Sequence, residues 1–226
     1  MTVPLTVSNR RCDALRNHRA LLEAAAEAFG QGGLDVSAGE IARRAGVAKG
    51  TLFRHFPAKR DLVAAVLVDR MLQLRALVAE ISLARPPGLA AIAELMSRGA
   101  EVLAGDRSFF DAAMREVIVD ARLAQAKLDL EAALDDLVVA AQKRGEVRGD
   151  VAGVDVAMLM MAATNTCAPA HEAQPQLWRR YLALMIDGLR PGGTTSLSVP
   201  AFSATAVAAA SERRRRAKTN QLGAVS

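Results

Sequence analysis

Between Phe29 and Pro57 the chain is punctuated so closely that only short helices fit. A first helix is predicted over residues 12–29, where Leu15, His18, Leu22, Ala25 and Phe29 recur at helical spacing along one face. Gly30, Gly32 and Gly33 end it. Ser37 with Glu40 three residues later has the form of a capping box, in which each side chain satisfies a backbone N–H at the start of the next helix. That helix is predicted over 38–45. Gly46 follows Arg44 and Ala45 and can take the left-handed conformation that closes a helix, and the chain resumes from Val47 to His55 before Pro57. The outcome is helix, tight turn, helix.

The remaining sequence repeats the helical pattern on a larger scale. Residues 58–81 read as one long helix with Leu62, Val66, Leu74, Leu77 and Ile81 on its apolar positions. After Pro86-Pro87-Gly88, Leu89, Ile92, Met96 and Leu103 mark another, and Gly105-Asp106 starts one carrying Phe109, Phe110, Met114, Val117 and Ile118. Residues 119–144 continue helical with no Gly or Pro to fix a boundary; Val154–Cys167 and a last helix over about 175–189 follow. Apolar residues make up 51% of the chain, but aromatics only 4%, and strand-like alternation is hard to find. The expectation is an all-α protein of about nine helices. It divides into a helix-turn-helix domain over 1–60, a helical domain over 61–190, and a disordered basic tail over 191–226, where large apolar residues are scarce.

Charge is unevenly spread. Residues 10–60 carry ten Lys/Arg against five Asp/Glu, residues 61–190 fourteen against eighteen, and residues 191–226 five against one. A basic N-terminal segment suits a polyanion, because neutralising phosphates releases counterions. No early apolar run follows a basic cluster and no charge-free apolar stretch is long enough to span a bilayer, so a soluble cytoplasmic protein is expected, with no membrane partner. Cys12 and Cys167 lie far apart, in no metal-ligand or redox spacing. The three histidines, His18, His55 and His171, accompany no nucleophile or metal-ligand motif, so neither an enzyme, a metal site nor a cofactor is expected.

A helix-turn-helix needs small and apolar residues where its helices touch and polar ones on the face that enters a groove. Ile41, Ala42, Ala45, Val47 and Leu52 supply the first set; Lys49, Thr51, Arg54 and His55 are left to face outward. On spacing alone, DNA readout in the major groove and a helical hairpin with a solvated face both fit. The specific string decides more. Residues 37–62, SAGEIARRAGVAKGTLFRHFPAKRDL, with the preceding EAAAEAFGQGGLD, closely resemble the DNA-binding domain of the TetR/AcrR family of bacterial regulators over about residues 15–65.

That resemblance implies that Ser37 caps the second helix and touches a phosphate, and that Lys49, Gly50 and Thr51 start the recognition helix against DNA. Arg54 would be a base reader, and His55 and Lys59 would contact phosphates. The usual Tyr, whose hydroxyl meets a phosphate, is Phe53 here, leaving only packing against the backbone; the Ser often found before the Lys is Ala48, so that helix end lacks a side-chain cap. The resemblance further implies a homodimer on a palindromic double-stranded operator, paired through helices near 153–168 and 175–189. Trp178, Tyr181, Met185 and Leu189 would serve there either as interface anchors or as intramolecular core. It also implies a pocket for an unidentified, largely apolar small-molecule effector that releases a repressor. Its candidate lining is Met96, Phe109, Phe110, Met114, Met158, Met161, Thr164, Asn165 and Trp178, with polar Thr164 and Asn165 singled out on a mostly apolar helix. The same fold controlled by protein partners or abundance is the alternative. The run Arg213–Arg216 with Lys218 either adds non-specific DNA affinity or is a solvated tail.

Overall fold

The computed structural model describes residues 5–104, 120–167, 173–192 and 195–201. The expected helix after Gly105, with Phe109, Phe110 and Met114, lies outside these, as do His171 and the basic run at 213–218. The described residues form eight α-helices and one 3-10 turn, with no strand among them: α1 (Leu5–Gly32), the 3-10 turn Gly33–Asp35, α2 (Ala38–Arg44), α3 (Lys49–His55), α4 (Lys59–Ala84), α5 (Leu89–Ala104), α6 (Ala121–Lys143), α7 (Gly153–Thr166) and α8 (Leu177–Asp187).

The first helix is longer than its glycines suggested. It runs through Gly30 and Gly32, and the chain turns only at Gly33, whose φ of 64° is left-handed. Its buried face is Leu21, Leu22, Ala24, Ala25, Ala28 and Phe29; Leu15, expected on that face, is 70% exposed. The covered stretch of α1 begins with the half-buried Asn17 and His18, and Leu15 lies ahead of it. Against the covered half pack Ile41 and Ala42 of α2, Leu52 of α3, Phe56, and Leu62, Val63 and Val66 of α4, all in one apolar core.

α4 carries that core into the rest of the molecule. Its start sits under α1 and its later residues Leu74, Leu77, Val78 and Ile81 are buried among α5 and α6. α6 begins where Asp61 lies within electrostatic reach of Arg122, and the loop that follows it meets the start of α5, where the Leu89 N–H donates to Glu146 Oε2 at 3.1 Å. The two long helices therefore run parallel, with α5 returning between their ends. Asp120 explains where α6 starts: its carboxylate accepts from the N–H groups of Arg122 (2.9 Å) and Leu123 (3.1 Å). α7 crosses α6 at Gly153, whose N–H donates to Asp135 Oδ1 at 2.6 Å and where a Cβ would lie 2.4 Å from the Asp135 backbone nitrogen. It meets α5 at Gly99, facing the Met160 sulfur. α8 closes the bundle with Trp178 and Leu182 buried, while Arg179 is paired with Glu101 of α5 and stacks 4.5 Å from the Trp178 ring.

Candidate nucleic-acid interface

Local chemistry sets the turn between α2 and α3. Ser37 is extended (φ −74°, ψ 148°), and its Oγ accepts the Glu40 N–H at 3.1 Å, so the forward half of the expected capping box forms. The return half is replaced: the Glu40 carboxylate is gripped by Arg43 (2.9 and 2.8 Å) and Arg44 (2.9 Å), which hold it down at about 2. Arg44 also donates to Gln31 of α1 at 2.8 Å, tying the two helices. At the other end Gly46 has φ 69°, the Val47 N–H reaches Ala42 O (3.0 Å) and the Gly46 N–H reaches Arg43 O (3.2 Å). This paired return closes α2 and turns the chain into α3.

Ala48 precedes α3 in extended conformation and offers no side-chain cap, as its sequence position implied. Leu52 and Phe56 are buried beneath the helix, and Lys49, Gly50, Phe53 and Arg54 stand exposed on the other side, with Thr51 and His55 half-buried at its edges. The Lys49 ammonium lies 5.9 Å from the Phe53 ring centre, so the aromatic that lacks a hydroxyl is partly covered by a cation. His55 turns inward: its ring is 5.7 Å from that of His18 on α1, and His18 stacks on Phe56 at 5.1 Å. Lys59, half-buried at the start of α4, donates its ammonium to the Leu34 carbonyl and so fastens the 3-10 turn. Arg60 beside it has a side chain 78% exposed and Arg43 one 73% exposed. Sequence reasoning missed both, because whether an arginine beside the motif ends up exposed depends on packing.

The described residues of the expected effector lining differ in exposure. Met96, Thr164 and Trp178 are buried in the core, Met161 and Asn165 are half-buried, and Met158 is exposed. The Thr164 hydroxyl is shared between the carbonyls of Met160 and Met161, both at 3.1 Å, which accounts for a polar residue here without a ligand. Two open grooves flank α4. One of about 550 Å³ is lined by Gln73, Leu77, Glu80, Arg98, Glu101 and Val102, and one of about 450 Å³ includes Arg75, Ser82, Pro87, Asp136 and Ala140. Neither groove is lined by the described residues of that set. On α8, Trp178 belongs to the core, as does Leu189 just beyond the helix, whereas Tyr181 and Leu184 stand exposed. No described helix is long and apolar enough to cross a membrane.

Residues 21–66 match the model of bacterial regulatory proteins of the tetR family, and residues 86–191 match that of a transcriptional regulator SbtR-like C-terminal domain. An uncharacterized HTH-type transcriptional regulator of Mycobacterium tuberculosis is 29% identical over 170 residues, 74% of this chain and 86% of the relative. The crystal structure of a TetR transcription regulatory protein from Mycobacterium vanbaalenii is similar at TM-score 0.61 and 34% identity, covering 80% of this chain and 98% of that one. FadR of Bacillus subtilis, solved in complex with stearoyl-CoA, shares the fold at TM-score 0.59 and 18% identity, over 76% and 99% of the two chains.

Proposed function

Because this chain belongs to the TetR family of bacterial regulatory proteins, DNA-binding transcriptional regulators rather than enzymes, we propose that it is a homodimeric repressor acting on a palindromic operator in the cytoplasm. The observation that carries this reading is the construction of α3. A buried Leu52 and Phe56 hold it down while Lys49, Gly50 and Arg54 are offered outward and Thr51 sits half-buried at the edge, on a helix short enough to lie in a major groove. Arg54 reads a base edge. Ser37, Lys49, Thr51 and His55 position the protein on phosphates, Phe53 packs against the backbone, and Lys59 presents the start of α4, with the exposed Arg60 beside it. One such helix reads too few base pairs to be selective, which supports a two-fold assembly. The exposed Tyr181 and Leu184 on α8 and Met158 on α7 form its pairing face.

Residues 1–60 serve as the DNA-binding unit and residues 61–190 as the effector and pairing unit, with α4 shared. An apolar effector is the class supported by the stearoyl-CoA held by FadR. It acts by favouring a conformation in which α4 pivots and the two recognition helices leave register, and it does so only through its affinity difference between the two states. The satisfied Thr164 and the packed Met96 and Trp178 favour the second reading, control without a small molecule.

Selection of bound duplexes from a random pool, with Arg54→Ala in parallel, tests the first claim. An enriched palindrome whose preference relaxes at one position per half-site in the variant is expected. No enrichment at moderate salt would overturn specific operator binding. With the enriched duplex, release by a long-chain acyl-CoA separates the effector reading from the second one.

A further inference from the structure

Four basic side chains flank the recognition helix on its neighbours: Arg43 and Arg44 at the end of α2, Lys59 and Arg60 at the start of α4. Three of them are engaged within the protein. Glu40 holds Arg43 and Arg44, and Arg44 reaches Gln31 as well. Lys59, which the family resemblance sets against a phosphate, donates its ammonium to the Leu34 carbonyl, 25 positions earlier in the chain. Leu34 is the middle residue of the 3-10 turn Gly33–Asp35, and Ser37, the cap of α2, follows it closely. Lys59 therefore ties the start of α4 to the stretch of chain that sets where Ser37 and α2 begin. Its side chain is half-buried, and turning it outward to a phosphate would release that carbonyl. Arg60 differs. Its side chain is 78% exposed, and the carboxylate of Asp61 lies 4.0 Å away. Asp61 is itself engaged, accepting the Ala58 N–H at 2.9 Å and facing Arg122 electrostatically. Among the described residues, Arg60 is the one of the four with no hydrogen bond or ion pair closer than 4.0 Å. An exposed pair at that distance holds weakly, so the guanidinium can turn, and its planar fork matches two oxygens of a phosphate.

We infer that Lys59 is a positioning residue, fixing Ser37 and α2 relative to α4, and that the phosphate contact at this edge of the DNA face is made by Arg60. This rests on the reading of α3 as the helix that meets DNA. Only Phe56, Pro57 and Ala58 separate α3 from α4, which keeps position 60 beside the backbone of a duplex lying along α3. The two roles differ in kind. Removing the Arg60 guanidinium removes a charge whose contact releases counterions, and it does so for every duplex, since phosphates carry no sequence. Removing the Lys59 ammonium leaves that contact in place but lets the turn ahead of Ser37 drift.

The test has one arm without DNA and one with it, both on the full-length chain. In the free protein, the carbonyl carbon of Leu34 is followed by NMR and the unfolding midpoint in urea. Lys59→Met, which keeps an apolar stem and drops the ammonium, is expected to move that resonance and lower the midpoint, and Arg60→Gln to do neither. A Leu34 signal unmoved by Lys59→Met overturns the positioning role; Lys59→Gln repeats the measurement should Lys59→Met not fold. In the second arm, the salt dependence of binding is measured for the palindromic duplex from the selection and for an unrelated duplex. The logarithm of affinity falls against that of salt with a slope of about 0.9 per phosphate neutralised, so losing one contact in each protomer of a dimer flattens it by about 1.8. Arg60→Gln is expected to show this flattening on both duplexes and to weaken both by about the same factor, and Arg60→Lys to restore most of the slope. Lys59→Met is expected to weaken operator binding with a slope close to that of the parent chain. A slope unmoved by Arg60→Gln, or flattened as much by Lys59→Met, overturns the assignment. A parent chain that binds no duplex at any salt would defeat the operator reading and the Arg60 contact with it, while the Leu34 signal still judges Lys59.

Discussion

Single side chains decide how firmly the DNA-facing helices are held. Ser37 caps α2, while Ala48 leaves the start of α3 without a side-chain acceptor in the same extended geometry. Ser37→Ala is expected to cost about 1 kcal/mol and Ala48→Ser to contribute about as much, read as opposite shifts of the urea midpoint. Glu40 offers a pH test. Its folded carboxyl, bound by Arg43 and Arg44, is at about 2, below the ordinary 4.5. With the folded value depressed, the contribution of this cluster is fully present above about 4.5 and is lost as pH falls through about 2. The carboxyl carbon of Glu40, followed by NMR, is expected to titrate near the lower value; a midpoint near 4.5 would show that the fork opens in solution.

At the scale of elements, glycines mark where helices touch. Gly153 lets the start of α7 rest on the backbone of α6, where a Cβ would lie 2.4 Å from Asp135 N and 2.6 Å from Leu134 C. Backbone cannot swing aside, so Gly153→Ala is expected to lose about 3 kcal/mol of stability, the upper end of overpacking costs. Gly99 makes the informative contrast: its obstacles are the Met160 sulfur at 2.8 Å and Leu74 Cδ2 at 3.3 Å, which are side-chain ends able to give. Gly99→Ala is expected to cost about 1 kcal/mol, and equal urea midpoints for the two variants would contradict this account of the α6–α7 crossing.

For the whole molecule, the apolar residues of α8 have two destinations. Trp178 is 3% exposed and packed within the bundle, whereas Leu184 is 61% exposed. Leu184→Glu is therefore expected to leave the helical circular dichroism intact and to yield monomers by sedimentation, with operator binding lost alongside. Trp178→Ala is expected to cost about 3–5 kcal/mol through the cavity it leaves, lowering the unfolding midpoint. A Leu184→Glu protein that remains dimeric would move the pairing surface away from this face of α8.

Much of this was legible in order along the chain. Ser37, Gly46 and the apolar spacing of Ile41, Ala42 and Leu52 specify the helix-turn-helix because caps, left-handed turns and helical periodicity act within a few residues of one another. The outward placement of Lys49 and Arg54 follows from the same periodicity. What the sequence did not reveal depends on partners distant in the chain. Leu15 has the right spacing for burial but lies ahead of the stretch of α1 that its neighbours cover, and which of Trp178 and Leu184, on different faces of one helix, is core and which is surface depends on where α5 and α7 lie. Glu40 had a sound local role as the return half of a capping box, until two arginines on the next turn outcompeted one backbone N–H. His18, which periodicity placed simply on an apolar face, gained its neighbour His55 from thirty-seven positions away. By itself the sequence determined which segments are helical and where they turn, since those forces are local; the tertiary structure decided which faces meet, because burial and charge pairing are properties of the assembled surfaces.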